Sequence, residues 1–229
     1  MSQTNVTKNS GLTTIFVIRH AEKPGQYGGA AYSGVNAPGT VCGAAAAEDL
    51  TTLGWQRAGG LISLFAAPPF GPRNDLAVPD HLYAANPEEK KSGKTQSQRP
   101  YETLTALAAV LGKEGSPKKI VTQFSQNDYA LMVTDVLTKS GVVLVCWQHE
   151  DIALEAEGGK AGISQEILTQ TSTKTQFPIP KAWPADSKGQ ARYDLIFVFT
   201  RSAKTGEITA FDLLPQYLLA GDGPIEKTP

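Results

Sequence analysis

An α/β sandwich built on a mostly parallel sheet with some antiparallel edge is the fold class this sequence predicts, and three observations carry it. "LTTIFVIRH" (12–20) is a continuous apolar run without alternation, the pattern of a strand covered on both faces. Strand-like runs then alternate with helical spacing as far as residue 149. Finally "RYDLIFVFT" and "ITAFDLLPQ" flank "RSAKTGE", which predicts a hairpin with Gly206 in its turn.

In chain order, the first strand is followed by a loop over 24–49 that is rich in glycine and contains Cys42. Loops of that length inside a domain are usually functional, and this one is a candidate lid. Thr51 or Thr52 can cap a helix through "LGWQRAGGLISLFAA", where Leu53, Arg57, Leu61 and Leu64 recur at helical spacing. Trp55, Phe65 and Phe70 are spaced as core residues. "HLYAA" (81–85) predicts a short strand opened by a structural His81. "SQRPYETLTALAAVLG" predicts a helix ending at Gly112, a residue suited to a left-handed cap. "KKIVTQF" (118–124) reads as the third strand, "NDYALMVTDVLTKSG" as a helix closed by Gly141, and "VVLVCWQH" (142–149) as the fourth strand. A short helix is expected near 163–170. No repeat or linker divides the 229 residues, so one domain is expected, with residues 1–11 flexible.

Composition narrows the function classes. Hydrophobic residues make up 41% and charged residues 19% of the chain, enough apolar content for a full core. The net charge of −1, with no run of like charges, argues against a nucleic-acid partner. The polar start lacks an apolar signal core and no run approaches a membrane span, so a cytoplasmic protein without a membrane partner is expected. The two cysteines differ too much in context to form a disulfide framework or a metal pair, and Cys146 reads as a small core residue. "HEDIA" (149–153) begins like the zinc motif H-E-x-x-H, but Ala153 stands at the second ligand position, so neither a metal nor a cofactor is expected.

The chemistry concentrates at strand ends, where open α/β sheets bind ligands. Arg19 and His20 end the first strand and His149 ends the fourth. Arg99 precedes Pro100, which suits a first helical turn and directs Arg99 to a non-helical backbone just before it, at an N-terminus that favours an anion. Two guanidinium forks and two imidazoles fit a phosphoryl group, whose charge is spread over three oxygens. A neutral imidazole can attack phosphorus and split hydrolysis into two smaller steps without a metal. Lys23 adds charge at the pocket mouth, and Glu22 can orient the nucleophile or pair with Arg19. Ser97 lacks a G-x-S-x-G setting and reads as a helix-start residue.

These segments resemble those of the histidine phosphatase, or phosphoglycerate-mutase-like, superfamily. "VIRHAEK" resembles its Arg-His-Gly signature, with Ala21 in place of glycine. "LTTLGWQRA" resembles its Leu-Thr-x-x-Gly-x-x-Gln/Arg-Ala helix start at Leu50, Thr51, Gly54, Arg57 and Ala58. "SQRPYETL" resembles its second-arginine segment at Ser97, Arg99, Glu102 and Thr103, and "VLVCWQH" its second-histidine strand. The matches run in the family's order over residues 13–150, and the last third adds little. The resemblance implies a three-layer α/β/α sandwich, His20 as nucleophile, and a phosphate pocket of Arg19, Arg99 and His149.

One branch of the superfamily places an aspartate after the second histidine to protonate the leaving oxygen. Here Glu150 stands there, followed by Asp151; Glu150 is the expected general acid, with Asp128 and Asp151 as the other candidates. The expected activity is hydrolysis of a small phosphomonoester through a phosphohistidine on His20. Three rivals are kept: a mutase, disfavoured because the mutase segments are not recognisable; a phospho-ligand binding or sensing module; and a protein-phosphohistidine phosphatase, which needs an open pocket.

Overall fold

The computed structural model describes residues 12–24, 48–88, 97–113 and 115–224. The expectations for residues 1–11, for Cys42 and for a lid fall outside them, apart from Pro24, Glu48 and Asp49 at the ends of that loop.

β1 (Leu12–Arg19) is buried at every residue after the first, which is why its sequence shows no alternation. It pairs in parallel with β4 (Val142–Trp147) and antiparallel with β5 (Leu195–Ser202). The described residues form a six-stranded mixed sheet of order β3-β2-β4-β1-β5-β6, with β2 at His81–Ala84, β3 at Ile120–Val121 and β6 at Ile208–Pro215. β1, β2, β3 and β4 are parallel, while β5 and β6 make the antiparallel hairpin.

Strand periodicity sorts most of the core into two clusters, beside a small third one of Ala21, Leu50 and Ala58. Phe16, Ile18, Leu82, Leu144, Cys146 and Val198 pack with α1 (Thr52–Phe65) and α2 (Arg99–Leu111). Their strand neighbours Ile15, Val17, Tyr83, Val145, Trp147 and Phe197 pack with α3 (Tyr129–Val136) and α4 (Ile163–Gln170). Each fully buried Leu, Ile or Phe contributes roughly 1.5–3 kcal/mol. Cys146 is a fully buried free thiol in the first cluster, and burial pushes its ionisation up.

Several local expectations need correction. The third strand is two residues long rather than seven, because at the sheet edge it has only β2 to pair with, at Leu82 and Tyr83. β4 stops at Trp147, and His149 opens a 3-10 turn spanning His149–Asp151. Leu53 and Phe70 are exposed, not core: Leu53 lies on the outer side of α1, and Phe70 follows the helix in a Pro-rich turn. Gly112 is not left-handed (φ −67°); glycine is required there because a Cβ would lie 2.1 Å from the Ser116 carbonyl oxygen. Gly141 before β4 and Gly206 in the hairpin turn are among the glycines that do adopt the left-handed conformation.

The start of α1 shows why a Leu-Thr-x-x-Gly pattern is needed. The Thr51 hydroxyl accepts from the Gly54 N–H and donates to the Glu22 carbonyl, and the Thr51 N–H donates to that same carbonyl. A Cβ on Gly54 would meet the Glu22 oxygen at 2.6 Å and Leu50 Cβ at 3.1 Å, so the helix lies directly on the loop that leaves β1. Gly59, in the same helix, has nothing within 4 Å of its would-be Cβ. Urea unfolding should therefore separate two identical substitutions. Gly54→Ala is expected to destabilise by about 1–3 kcal/mol through overpacking, and Gly59→Ala to stabilise by about 0.5–1 kcal/mol through helix propensity. Equal effects would show that α1 is not in contact with that loop.

Candidate active site

The side chains of interest are carried by the ends of two adjacent parallel strands. Arg19 pairs in register with Trp147, and the His20 N–H continues the ladder by donating to the Trp147 carbonyl. His20 and His149 therefore leave the sheet side by side. α2 brings its first residue to the same edge: the Thr103 hydroxyl accepts from the Ala21 N–H at 2.9 Å and donates to the Arg99 carbonyl. Glu102, next in the helix, accepts from the Leu50 N–H at 2.8 Å. The start of α2 is thus tied both to the chain after β1 and to the chain entering α1. Arg99 is itself the first helical residue, with Pro100 inside the first turn, rather than the non-helical residue the proline suggested.

Arg19 is fully buried. One guanidinium nitrogen donates to the Ala191 and Arg192 carbonyls, and the Tyr193 ring lies 3.7 Å below Cζ. The Tyr193 hydroxyl accepts from the Lys23 N–H at 3.3 Å. The last third of the chain, from which the motifs promised little, thus sets the orientation of the first arginine. Periodicity could not single out Tyr193, because an aromatic residue just before an apolar strand has the look of ordinary core material.

His20 is 2% exposed, and its Nδ1 lies 2.7 Å from the Ala21 carbonyl oxygen. A carbonyl can only accept, so the neutral ring carries its proton on Nδ1 and keeps its lone pair on Nε2. Burial lowers the His20 pKa well below 6.5, with the Arg19 and Arg99 charges acting in the same direction and His149 adding to them. His149 is likewise shifted down by burial and by Arg19 and Lys23, against the opposing pull of Glu150. The mutual influence of Arg19, His20, Arg99 and His149 puts all four in one electrostatic neighbourhood.

Lys23 and two carboxylates stand at the rim. Burial lowers the Lys23 pKa; Glu150 and Glu48 oppose the shift, and Arg19 and Arg99 reinforce it. Glu150 Oε2 is 2.9 Å from His149 Nδ1, a close charge contact without the alignment of a directed hydrogen bond. Burial works against ionisation of Glu150, but His149, its own backbone amide and Lys23 prevail and hold it at about 2. In this state Glu150 is a carboxylate and an acceptor, and it can donate a proton only if its contact with His149 changes.

The other two acid candidates have different surroundings. Asp151 is buried, and burial together with Glu150 pushes it up to about 6; its other neighbours are Gln126, Glu157 and Lys160. Asp128 ends the 3-10 turn Gln126–Asp128 and accepts from the Ser125 hydroxyl. Glu22 does not pair with Arg19 but forms a buried ion pair with Arg57 at 2.8 Å. Ser97 is buried just ahead of α2, yet its hydroxyl makes no hydrogen bond and does not cap the helix. Glu48 went unnoticed in the motifs, and its Oε2 lies 3.3 Å from Arg99 Nη2. Among the described residues no cluster of three or more His, Cys, Asp or Glu side chains is arranged to hold a metal ion. Nor is any helix among them long and apolar enough to cross a membrane.

A cleft of about 640 Å³ lies elsewhere, beside α4 and the chain that follows it, lined by Leu154, Leu168, Lys174 and Phe177 among others. Its lining contains none of Arg19, His20, Arg99 and His149, so this cleft and the candidate site are separate features. In comparisons with known proteins, the chain matches no family model, no curated protein and no solved structure.

Proposed function

We propose that this chain is a phosphomonoester hydrolase of the histidine phosphatase type, working without a metal through a phosphohistidine on His20. The observation that carries this reading is the His20 imidazole itself: neutral, buried, with its proton committed to the Ala21 carbonyl and its Nε2 lone pair available among Arg19, Arg99 and His149. In the first step Nε2 attacks phosphorus in line and the bond to the ester oxygen breaks. The guanidinium forks of Arg19 and Arg99 and the His149 imidazole take up the charge on the three equatorial oxygens. Water then attacks the phosphoryl group, the P–N bond breaks, and phosphate leaves with the imidazole restored. Sheet order, parallel β1 and β4, and helices contributing to separate cores on alternate strand residues support the three-layer arrangement typical of that superfamily.

A second reading, a phospho-ligand binding module, is favoured by one observation: Glu150, the expected acid, is held ionised at about 2. Both readings meet in one pair of measurements. Turnover of p-nitrophenyl phosphate in the presence of EDTA, from about pH 5 to 8, is expected under the hydrolase reading. Phosphate binding by calorimetry with no turnover of a phosphoester panel would replace it with the binding reading.

A further inference from the structure

We propose that Glu48 is the proton donor to the leaving oxygen, an inference that rests on the hydrolase reading. His20 lies at the floor, 2% exposed, so a leaving oxygen in line with Nε2 and phosphorus faces outward, toward the rim. The rim carries two carboxylates, Glu48 and Glu150, whose side chains are 30% and 31% exposed. Glu150 is engaged by His149, a member of the phosphate pocket, at 2.9 Å and is held as the anion.

Both backbones are anchored, that of Glu150 by the Glu157 N–H at 3.0 Å, so Glu48 differs in one respect, the hold on its carboxylate. Its backbone is anchored: the Gln98 N–H donates to the Glu48 carbonyl at 3.1 Å, one residue ahead of Arg99, and the nearby Leu50 N–H is held by Glu102. Its carboxylate is loosely held, since 3.3 Å from Arg99 Nη2 exceeds the 2.7–2.9 Å of a strong charge-assisted bond. Arg99 is the fork a phosphoryl group needs. When the substrate takes that fork, the Glu48 carboxyl is displaced from Arg99 beside the phosphoryl group, with Lys23 the remaining cation in its electrostatic neighbourhood. It is then a proton donor fixed at the edge of the phosphate site.

The proton balance closes over one cycle. As the Nε2–P bond forms and the P–O bond breaks, the Glu48 carboxyl proton passes to the departing alkoxide, giving the free alcohol. In the second step the Glu48 carboxylate takes a proton from the attacking water as the P–N bond breaks, and the starting state returns.

Leaving-group dependence tests this in the full chain. A poor leaving group such as an alkyl phosphate needs a proton, whereas 2,4-dinitrophenyl phosphate does not. Glu48→Gln is expected to lower kcat/KM on glycerol 2-phosphate by about a hundred-fold or more, the usual worth of a positioned acid. On the dinitrophenyl ester the loss should be less than about five-fold, and vanadate inhibition should be retained or tightened because the Glu48 charge no longer competes with the oxyanion for Arg99. Equal losses on both esters would assign Glu48 a structural part and overturn the proposal, as would a Glu150→Gln variant showing the selective loss instead. A wild-type protein without turnover on any ester removes the hydrolase reading, and the proposal with it.

Discussion

His20→Ala and His20→Asn are both expected to lower phosphoester turnover by roughly 10⁴-fold or more, the scale seen when a covalent nucleophile is removed. Asparagine fills most of the space of the ring and offers a side-chain amide near the Ala21 carbonyl, so a loss shared by both variants reports chemistry rather than a cavity. Wild type quenched in base during turnover should carry a phosphoryl label, since a phosphoramidate survives base and is lost in acid; neither variant should. Undiminished turnover in both variants would remove His20 as nucleophile.

The same residue makes a pH prediction. Burial first, then Arg19 and Arg99, lower the His20 pKa well below 6.5. The nucleophilic form is the neutral ring, so a lowered pKa keeps it in place as the pH falls through 6.5, where a free histidine would already be half charged. Side-chain NMR titration follows this directly, and a His20 midpoint at or above 6.5 would contradict the burial argument. Stability is linked in the opposite sense. Below about 6.5 the unfolded chain takes up a proton that the folded one refuses, so His20 erodes stability as the pH drops from there toward its folded pKa.

How much of this was legible in the sequence depends on how local the cause is. The run 12–20, which ends one residue early as a strand, the helix near 163–170 and the hairpin around Gly206 follow from periodicity and turn chemistry within ten or so residues, and they stand close to where the pattern put them. The length of β3 was not legible, because it depends on a partner strand and on an edge position that no residue in "KKIVTQF" encodes. The reason for Gly112 was local but hidden: the neighbour that excludes a Cβ is the Ser116 backbone, in a turn the composition does not mark. Arg19, His20, Arg99 and His149 could be named because each lies at, or within two residues of, the end of an element that the pattern marks. The groups that orient them could not, since Arg19 is held by carbonyls some 172 residues away and Glu48 meets Arg99 across a gap of 51. Motif positions fared better as anchors than as chemistry: Thr51, Gly54, Glu102 and Thr103 stitch the loop after β1 to two helices.

Arg57→Met is expected to destabilise the fold by about 3–5 kcal/mol, the usual consequence of removing one member of a buried ion pair. Arg57 is 4% exposed and sits in a knot far from its sequence neighbours. It donates to Glu22 at 2.9 Å, to Gln216 at 3.1 Å and to both oxygens of Asp222 at 3.0 and 2.7 Å. Burial alone would favour loss of its proton, yet the hydrogen bond to Asp222 and the charge of Glu22 raise its pKa instead. Methionine approximates the length of the stem, so the loss isolates the charge that leaves Glu22 and Asp222 buried without their cation.

The pH dependence distinguishes this from a simple packing defect. Burial pushes the Asp222 pKa up, but the bonds from Arg57 and from the Leu218 and Leu219 amides outweigh it and lower the pKa below its usual value. In wild type that contribution is complete above about pH 4 and fades as the pH falls through the folded value. In Arg57→Met, Asp222 loses its strongest reason to ionise, so the gap between the two proteins should be widest near neutrality and narrow below about pH 4. A gap in urea midpoints that is constant with pH would reduce the knot to packing. Because the Glu22 carbonyl also receives Thr51, two residues from His20, the variant is further expected to loosen the loop that carries Ala21 and Lys23. That loosening should appear as faster amide exchange at Ala21 and Lys23 before global unfolding.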